Sequence, residues 1–145
     1  MKEIIEYFFI YLHIISALYW VGGNLLFFSF GYTIRKIYKD EKLIPGFRAL
    51  GKTFRVGSWI SVIILFLTGL YLLLKRWGYI NTIMKLKLSI FFVVIILKFI
   101  HDFFIAKRAA LEKKPSKYYK LTLFIARINL LLQLVIIYLS MIFLR

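Results

Sequence analysis

The chain contains no cysteine. That excludes disulfides, thiolate metal sites, iron–sulfur clusters and haem held through thioether bonds. Histidine is scarce as well: His13 and His101 are the two in 145 residues. Two imidazoles and no thiolate do not make a four-ligand zinc site. Acidic residues number 6 against 21 Lys and Arg. Ser16 lies one turn from His13, but no carboxylate falls at that depth, so a Ser–His–Asp triad is not supported. Met1, Met84 and Met141 form no ladder of the kind that copper transport favours. Proline occurs twice, at Pro45 and Pro115; Pro45-Gly46 and Pro115 are expected to mark two connections.

Apolar residues are what the chain has in abundance. They make up 62% of it, with a mean hydropathy of +0.83. A soluble domain of this length has no interior large enough to hide them, which places the chain among polytopic membrane proteins. Long apolar runs predict transmembrane helices at about 6–34, 54–75, 83–106 and 120–144. Helix is expected throughout them, because hydrocarbon offers backbone groups no other partner. The expected fold is all-α, a single integral membrane four-helix bundle. The first run is too long for a cleaved secretory signal, and Glu3 and Glu6 precede it where basic residues would be expected.

The net charge of +15 is unevenly placed. Arg35, Lys36, Lys39, Lys42, Arg48, Lys52 and Arg55 fall in or beside the first connection, and Lys107, Arg108, Lys113, Lys114, Lys117 and Lys120 in or beside the third. Those thirteen lie on one side of an even number of spans. The other side holds Lys2, Lys75, Arg76 and Arg145, with Lys85 and Lys87 at a helix entrance. Cytoplasmic connections carry the Lys/Arg excess, so both termini are expected outside the cell's inner membrane. The charge is thereby assigned to membrane sidedness and anionic lipid headgroups, and no nucleic-acid partner is expected.

Each span carries a polar or small stripe at helical spacing. The first reads His13, Ser16, Ala17, Trp20 and Asn24, with Gly22-Gly23 alongside. The second offers Ser58, Ser61, Thr68 and Gly69. In the third, Lys87, Lys98, His101 and Asp102 share a broad face, and Lys85 points the opposite way. In the fourth, Asn129, Gln133 and Ser140 share a face that Arg127 lies off. Serine, threonine and glycine stripes are accounted for by helix packing. Ionisable groups inside a bilayer are costly and point to a site by default.

Depth sorts these groups. At ~1.5 Å per residue His13 is expected ~10 Å below the outer end of its helix, Lys87 ~6 Å and His101 ~27 Å. His13 and Lys87 are thus expected in an outer polar layer, and His101, Asp102, Asn24, Arg55 and Arg127 in an inner one. The ~17 Å between the two imidazoles argues against one haem held by both. Haem fits a transmembrane imidazole such as His13, since helix bundles commonly hold cofactors in their interior. Gly22-Gly23 is expected to admit a flat macrocycle, with Trp20 packed against it. Lys87 is expected to ligate iron when deprotonated, or to pair with a propionate or substrate carboxylate when charged. The alternative for Lys87 is snorkelling to the headgroups, and for His13 a bond to a neighbouring helix. Asp102 and Arg127 are expected to form a buried structural ion pair with His101 bonded nearby; haem or proton transfer is the alternative role for His101. Lys98 is expected to join that network or to snorkel inward.

Four segments carry a resemblance. LHIISALYWVGG (12–23), FRVGSWISVIILFLTGLY (54–71), HDFF (101–104) and ARINLLLQL (126–134), in that order, resemble the four helices of the copper-resistance protein D family. The first helix, and a Lys opening the third, are also similar to the HemJ-type protoporphyrinogen oxidase, a related four-helix family. That resemblance implies haem b, oxidation of a porphyrinogen in the membrane, and functional roles for His13 and Lys87, or Lys85 in its place. The resulting expectation is a haem b-binding membrane protein with a redox role, exchanging electrons with a quinone or acting on a porphyrinogen. Copper handling through His13 or His101, implied by the family name, is the second expectation. A cofactor-free structural subunit of a larger membrane complex is the third. A flat aromatic face, among residues that are 19% aromatic, is compatible with a homo-oligomer.

Overall fold

The computed structural model describes residues 2–33, 43–77, 82–105 and 117–143, and all of these are helical. In chain order they are α1 (Lys2–Ala17), a π-helical turn (Leu18–Gly22), α2 (Gly23–Thr33), α3 (Leu43–Leu72), a second π-helical turn (Leu73–Trp77), α4 (Thr82–Ile100), a third π-helical turn (His101–Ile105) and α5 (Lys117–Phe143). They make four helices long and apolar enough to cross a membrane: Glu3–Thr33, Ala49–Lys75, Thr82–Ile105 and Lys120–Ile142. These follow the spans expected from the sequence, with one difference. Helix α3 starts at Leu43, so Pro45 and Gly46 sit in its first turn rather than in a connection. A first-turn proline breaks no bond, because the N–H it lacks has no intrahelical partner there. The basic residues Arg35, Lys36, Lys39, Lys42, Lys107, Arg108, Lys113 and Lys114, the turn expected at Pro115, and Arg145 lie outside the described residues.

The chain divides into two compact units, Met1–Tyr79 and Ile80–Arg145. The first is an antiparallel hairpin. Its register is fixed by contacts that run in opposite directions along the two strands of helix. Phe9 stacks on Tyr71 with ring centroids 4.0 Å apart. His13 meets Thr68. Tyr19 lies over Gly57, and Phe54 over Gly23. Phe27 stacks on Phe54 at 4.8 Å. On α3 the buried residues Ser58, Ser61, Leu65, Thr68 and Leu72 recur at alternating steps of three and four, the seam of a helix that packs knobs into holes. On the facing helix Ser16, Trp20 and Val21 are buried.

Glycine is required at two places in that seam. A Cβ on Gly23 would collide with the Phe54 ring, and one on Gly57 with the Tyr19 hydroxyl. Both glycines let an aromatic ring lie against backbone, which is how small residues bring helices together where burial of apolar area does not drive them. The Leu18–Gly22 turn supports the same contact. Its i→i+5 winding widens the helix between Tyr19 and Gly23, the two positions that face α3 aromatics or glycines.

In the second unit α4 and its terminal π-turn pack on α5. Val94 is fully buried, and Met84, Lys98, Asp102 and Ile105 join it on the α4 side. Asn129 and Gln133, one turn apart, are buried on α5. In both units small and polar side chains point inward, and large apolar ones, such as Tyr7, Leu18, Leu67, Phe104 and Met141, point outward.

Candidate functional site

His13 is held across the hairpin. Its Nδ1 lies 2.8 Å from Thr68 Oγ1. The direction of that bond follows from a second one: the Thr68 hydroxyl donates to the Ile64 carbonyl at 2.6 Å, with Leu65 O at 3.3 Å. A hydroxyl has one hydrogen, and here it is committed to the backbone. Thr68 Oγ1 is therefore the acceptor, and Nδ1 of His13 carries the ring hydrogen. The neutral ring then has its lone pair on Nε2, the atom that ligates metals. Thr68 is 2% exposed, so this orienting bond is shielded from competition.

The surroundings of the ring come from both helices. Gly69 lies beside it, where a Cβ would come 3.4 Å from His13 Cε1. The Phe9–Tyr71 stack sits one turn toward the hairpin's open end. On the other side Ser16 and then Trp20 continue the same face, both buried.

Gly22 and Gly23 belong to a different place. They line an apolar cleft of about 390 Å³ together with Leu18, Tyr19, Leu26, Phe27, Phe30, Leu50 and Phe54. At ~1.5 Å per residue Gly22 stands ~13 Å along the helix from His13. The space over Gly23 is taken by the Phe54 ring, whereas nothing lies within 4 Å of a Cβ on Gly22. The sequence expectation put a macrocycle on this glycine pair. The structure puts an aromatic ring of the protein itself over Gly23, and it brings His13 together with Thr68 and Gly69 instead. As a fit to haem, the donor chemistry at His13 is suitable, and the glycine pair is not part of that same site.

The third-span residues lie in the second unit. Lys85 is exposed and Lys87 half-buried, as the helical spacing predicts. Near the far end Lys98 Nζ donates to Asp102 Oδ2 at 2.8 Å, with both side chains 7% exposed. His101 Nδ1 lies 2.9 Å from Asp102 Oδ1. An ionised carboxylate only accepts, so Nδ1 of His101 also carries the ring hydrogen, and its lone pair likewise lies on Nε2. Arg127, expected as the buried partner of Asp102, is exposed on α5, and Asp102 binds Lys98 and His101. On α5 the buried Asn129 Oδ1 meets no donor among the described residues.

Among the described residues no three His, Cys, Asp or Glu side chains come close enough to hold a metal ion. Neither His13 nor His101 is part of such a cluster. Two features of His13 were missed from the sequence. Thr68 and Gly69 were read as packing residues, although the Thr-Gly step becomes a recognisable partner for an imidazole once the hairpin register is known.

No protein-family model matches the chain. No solved structure matches it either. The chain is similar to an uncharacterized protein of Aquifex aeolicus (strain VF5), with 33% identity over 143 residues that span 97% of this chain and 93% of that protein.

Proposed function

We propose that this chain, which belongs to the family of the uncharacterized Aquifex aeolicus protein, is a haem b-binding multi-pass membrane protein with a redox role. The observation that supports it most is the orientation of His13. A hydrogen bond from Nδ1 to Thr68 sets the tautomer and leaves Nε2 as the basic nitrogen. Metal-bound imidazoles are commonly anchored at the other ring nitrogen in this way. In this reading His13 would hold the haem iron. Thr68 positions the imidazole, and Gly69 leaves room beside the ring. Haem b supplies a one-electron couple when bound. In the second unit Lys87 is half-buried on its helix. Trp20, buried one face-turn beyond Ser16, closes the seam below His13.

The resemblance to the copper-resistance protein D and HemJ-type families is consistent with this reading and supplies its two candidate partners, a quinone and a porphyrinogen. The membrane setting is supported by four helices of spanning length and by large apolar side chains turned outward. The inner membrane, with the basic connections inside and the termini outside, follows from the Lys/Arg placement. Copper handling gains no support, because the described residues supply no ligand cluster.

The test is an absorption spectrum of protein purified after haem-replete expression. A Soret band is expected, and His13→Ala is expected to remove or shift it. A missing band, or the same band in His13→Ala, defeats the proposal and leaves the cofactor-free structural subunit.

A further inference from the structure

The haem reading leaves the apolar cleft of the first unit without a role. We propose that this cleft is a lipid site, holding one acyl chain of an anionic phospholipid from the leaflet on the basic side of the membrane.

Two helices build the cleft. Gly22 and Gly23, with Phe27 stacked on Phe54 at 4.8 Å, form a half-buried floor. Leu26 and Phe30 on α2 and Leu50 on α3 are exposed and form its rims. Gly22 keeps the floor open, since nothing lies within 4 Å of a Cβ placed there. The helix contact does not explain that opening, because Gly23 is the glycine that seats Phe54.

Shape selects a chain. The lining runs from Leu18 to Phe30, ~18 Å along the helix at ~1.5 Å per residue. One leaflet is half of a hydrocarbon core about 30 Å thick, so the cleft runs about the depth of a leaflet. Its volume of about 390 Å³, spread over that length, leaves a section of ~20 Å², against ~80 Å² for a helix ~10 Å across. The slot is too narrow for a helix of a second copy, and it suits a single methylene chain. Its walls are apolar almost throughout, and the Tyr19 hydroxyl is turned to Gly57. They offer a quinone head or a carboxylate no hydrogen-bond partner, and an acyl chain needs none.

Charge selects the lipid. The chain passes from α2 to α3 at the Phe30–Leu50 end of the cleft. The sequence there carries Arg35, Lys36, Lys39, Lys42, Arg48, Lys52 and Arg55 against Asp40 and Glu41. Lys52, two residues from Leu50 on α3, is exposed. An acyl chain entering from this end brings its headgroup to that basic stretch, and basic residues beside a membrane attract anionic headgroups. The slot and the charge are separate observations that one molecule satisfies. The site rests on the membrane setting of the helices, and not on haem at His13.

The experiment places the full chain in nanodiscs of equal parts phosphatidylglycerol and phosphatidylcholine. Native mass spectrometry then follows the stepwise removal of lipid. One phosphatidylglycerol is expected to stay bound after the other lipids have left. Gly22→Phe fills the floor and is expected to release that lipid while the unfolding midpoint stays near that of the parent. Gly22→Leu is a smaller block, used if the larger ring disturbs the fold. Lys52→Gln is expected to keep a lipid in place and to lower the preference for phosphatidylglycerol about fivefold, the weight of one basic residue at an anionic surface. A parent that retains no lipid, or retains phosphatidylcholine as readily, overturns the proposal. So does a folded Gly22 variant that holds the lipid as the parent does, an unchanged preference in Lys52→Gln, or a quinone or second copy of the chain held in the lipid's place. None of these readings depends on a Soret band.

Discussion

Thr68 receives the Nδ1 hydrogen of His13 at 2.8 Å while giving its own hydroxyl hydrogen to Ile64 O at 2.6 Å. One small side chain thus fixes both the rotamer and the tautomer of an imidazole on the facing helix. Asp102 does the same for His101 at 2.9 Å on its own helix. Both histidines of the chain present Nε2 as their basic nitrogen. They differ in what holds them: a neutral hydroxyl for His13, and a carboxylate shared with a lysine for His101.

Thr68→Val keeps the shape at that position and removes the acceptor. The Nδ1 hydrogen then has no partner from α3, and the preferred tautomer is no longer imposed. Loss of such an orienting partner weakens metal-site affinity by about 10–100-fold. Stability is expected to fall by about 1–3 kcal/mol, the cost of leaving a part-buried donor unmade. Thr68→Ser, which retains the hydroxyl, should restore both. Haem titration followed at the Soret band, with unfolding in mild detergent, measures the two effects. Wild-type titration in Thr68→Val would remove Thr68 from the site.

Gly22 and Gly23 are neighbours in sequence with different surroundings. Gly23→Ala drives a methyl into the Phe54 ring and disturbs the Phe27–Phe54 stack. Overpacking of this kind costs about 1–3 kcal/mol. Gly22→Ala meets nothing within 4 Å and is expected to be neutral or slightly stabilising. Comparing unfolding midpoints of the two single variants checks the hairpin register directly, and equal effects would contradict it.

Asp102→Leu leaves the Lys98 ammonium buried without its counter-charge. Breaking one side of a buried pair costs about 3–5 kcal/mol, whereas replacing both partners with apolar residues is often neutral. Lys98→Met combined with Asp102→Leu should therefore recover most of the stability lost by the single change. A double-mutant cycle in denaturant measures the coupling. An additive cycle would show that the two side chains do not act as a pair.

The absence of cysteine makes sidedness simple to test. Lys39→Cys, in the basic first connection, is expected to react with a membrane-impermeant thiol reagent only after the cell is opened. Lys2→Cys is expected to react in intact cells. The opposite pattern would reverse the orientation drawn from the Lys/Arg bias.

The four spans were legible because helical length and continuous apolarity are properties of a single segment. The one misplaced start, at Leu43, turned on Pro45, which ends a helix from within but is tolerated in its first turn. The face of each helix was legible for the same reason. Lys85 outward, Lys87 half-buried, Lys98 and Asp102 inward, and Asn129 with Gln133 on one stripe all follow from 3.6-residue periodicity. The π-helical turns at Leu18–Gly22, Leu73–Trp77 and His101–Ile105 were not read, since an extra residue in a turn is selected by packing and leaves no compositional mark.

Sequence alone determined which segments are helical and which residues look inward, because both depend on spacing along one chain. It also named His13, Lys98, His101, Asp102 and Arg127 as the costly groups, of which Arg127 is exposed. Only the tertiary structure decided what each of them meets. Whether His13 finds a glycine slot or a threonine depends on the register of one helix against another, and a shift of a single turn would change the partner. That register is set by where Phe54 and Tyr19 can reach against glycine, a matter of shape that no single segment contains.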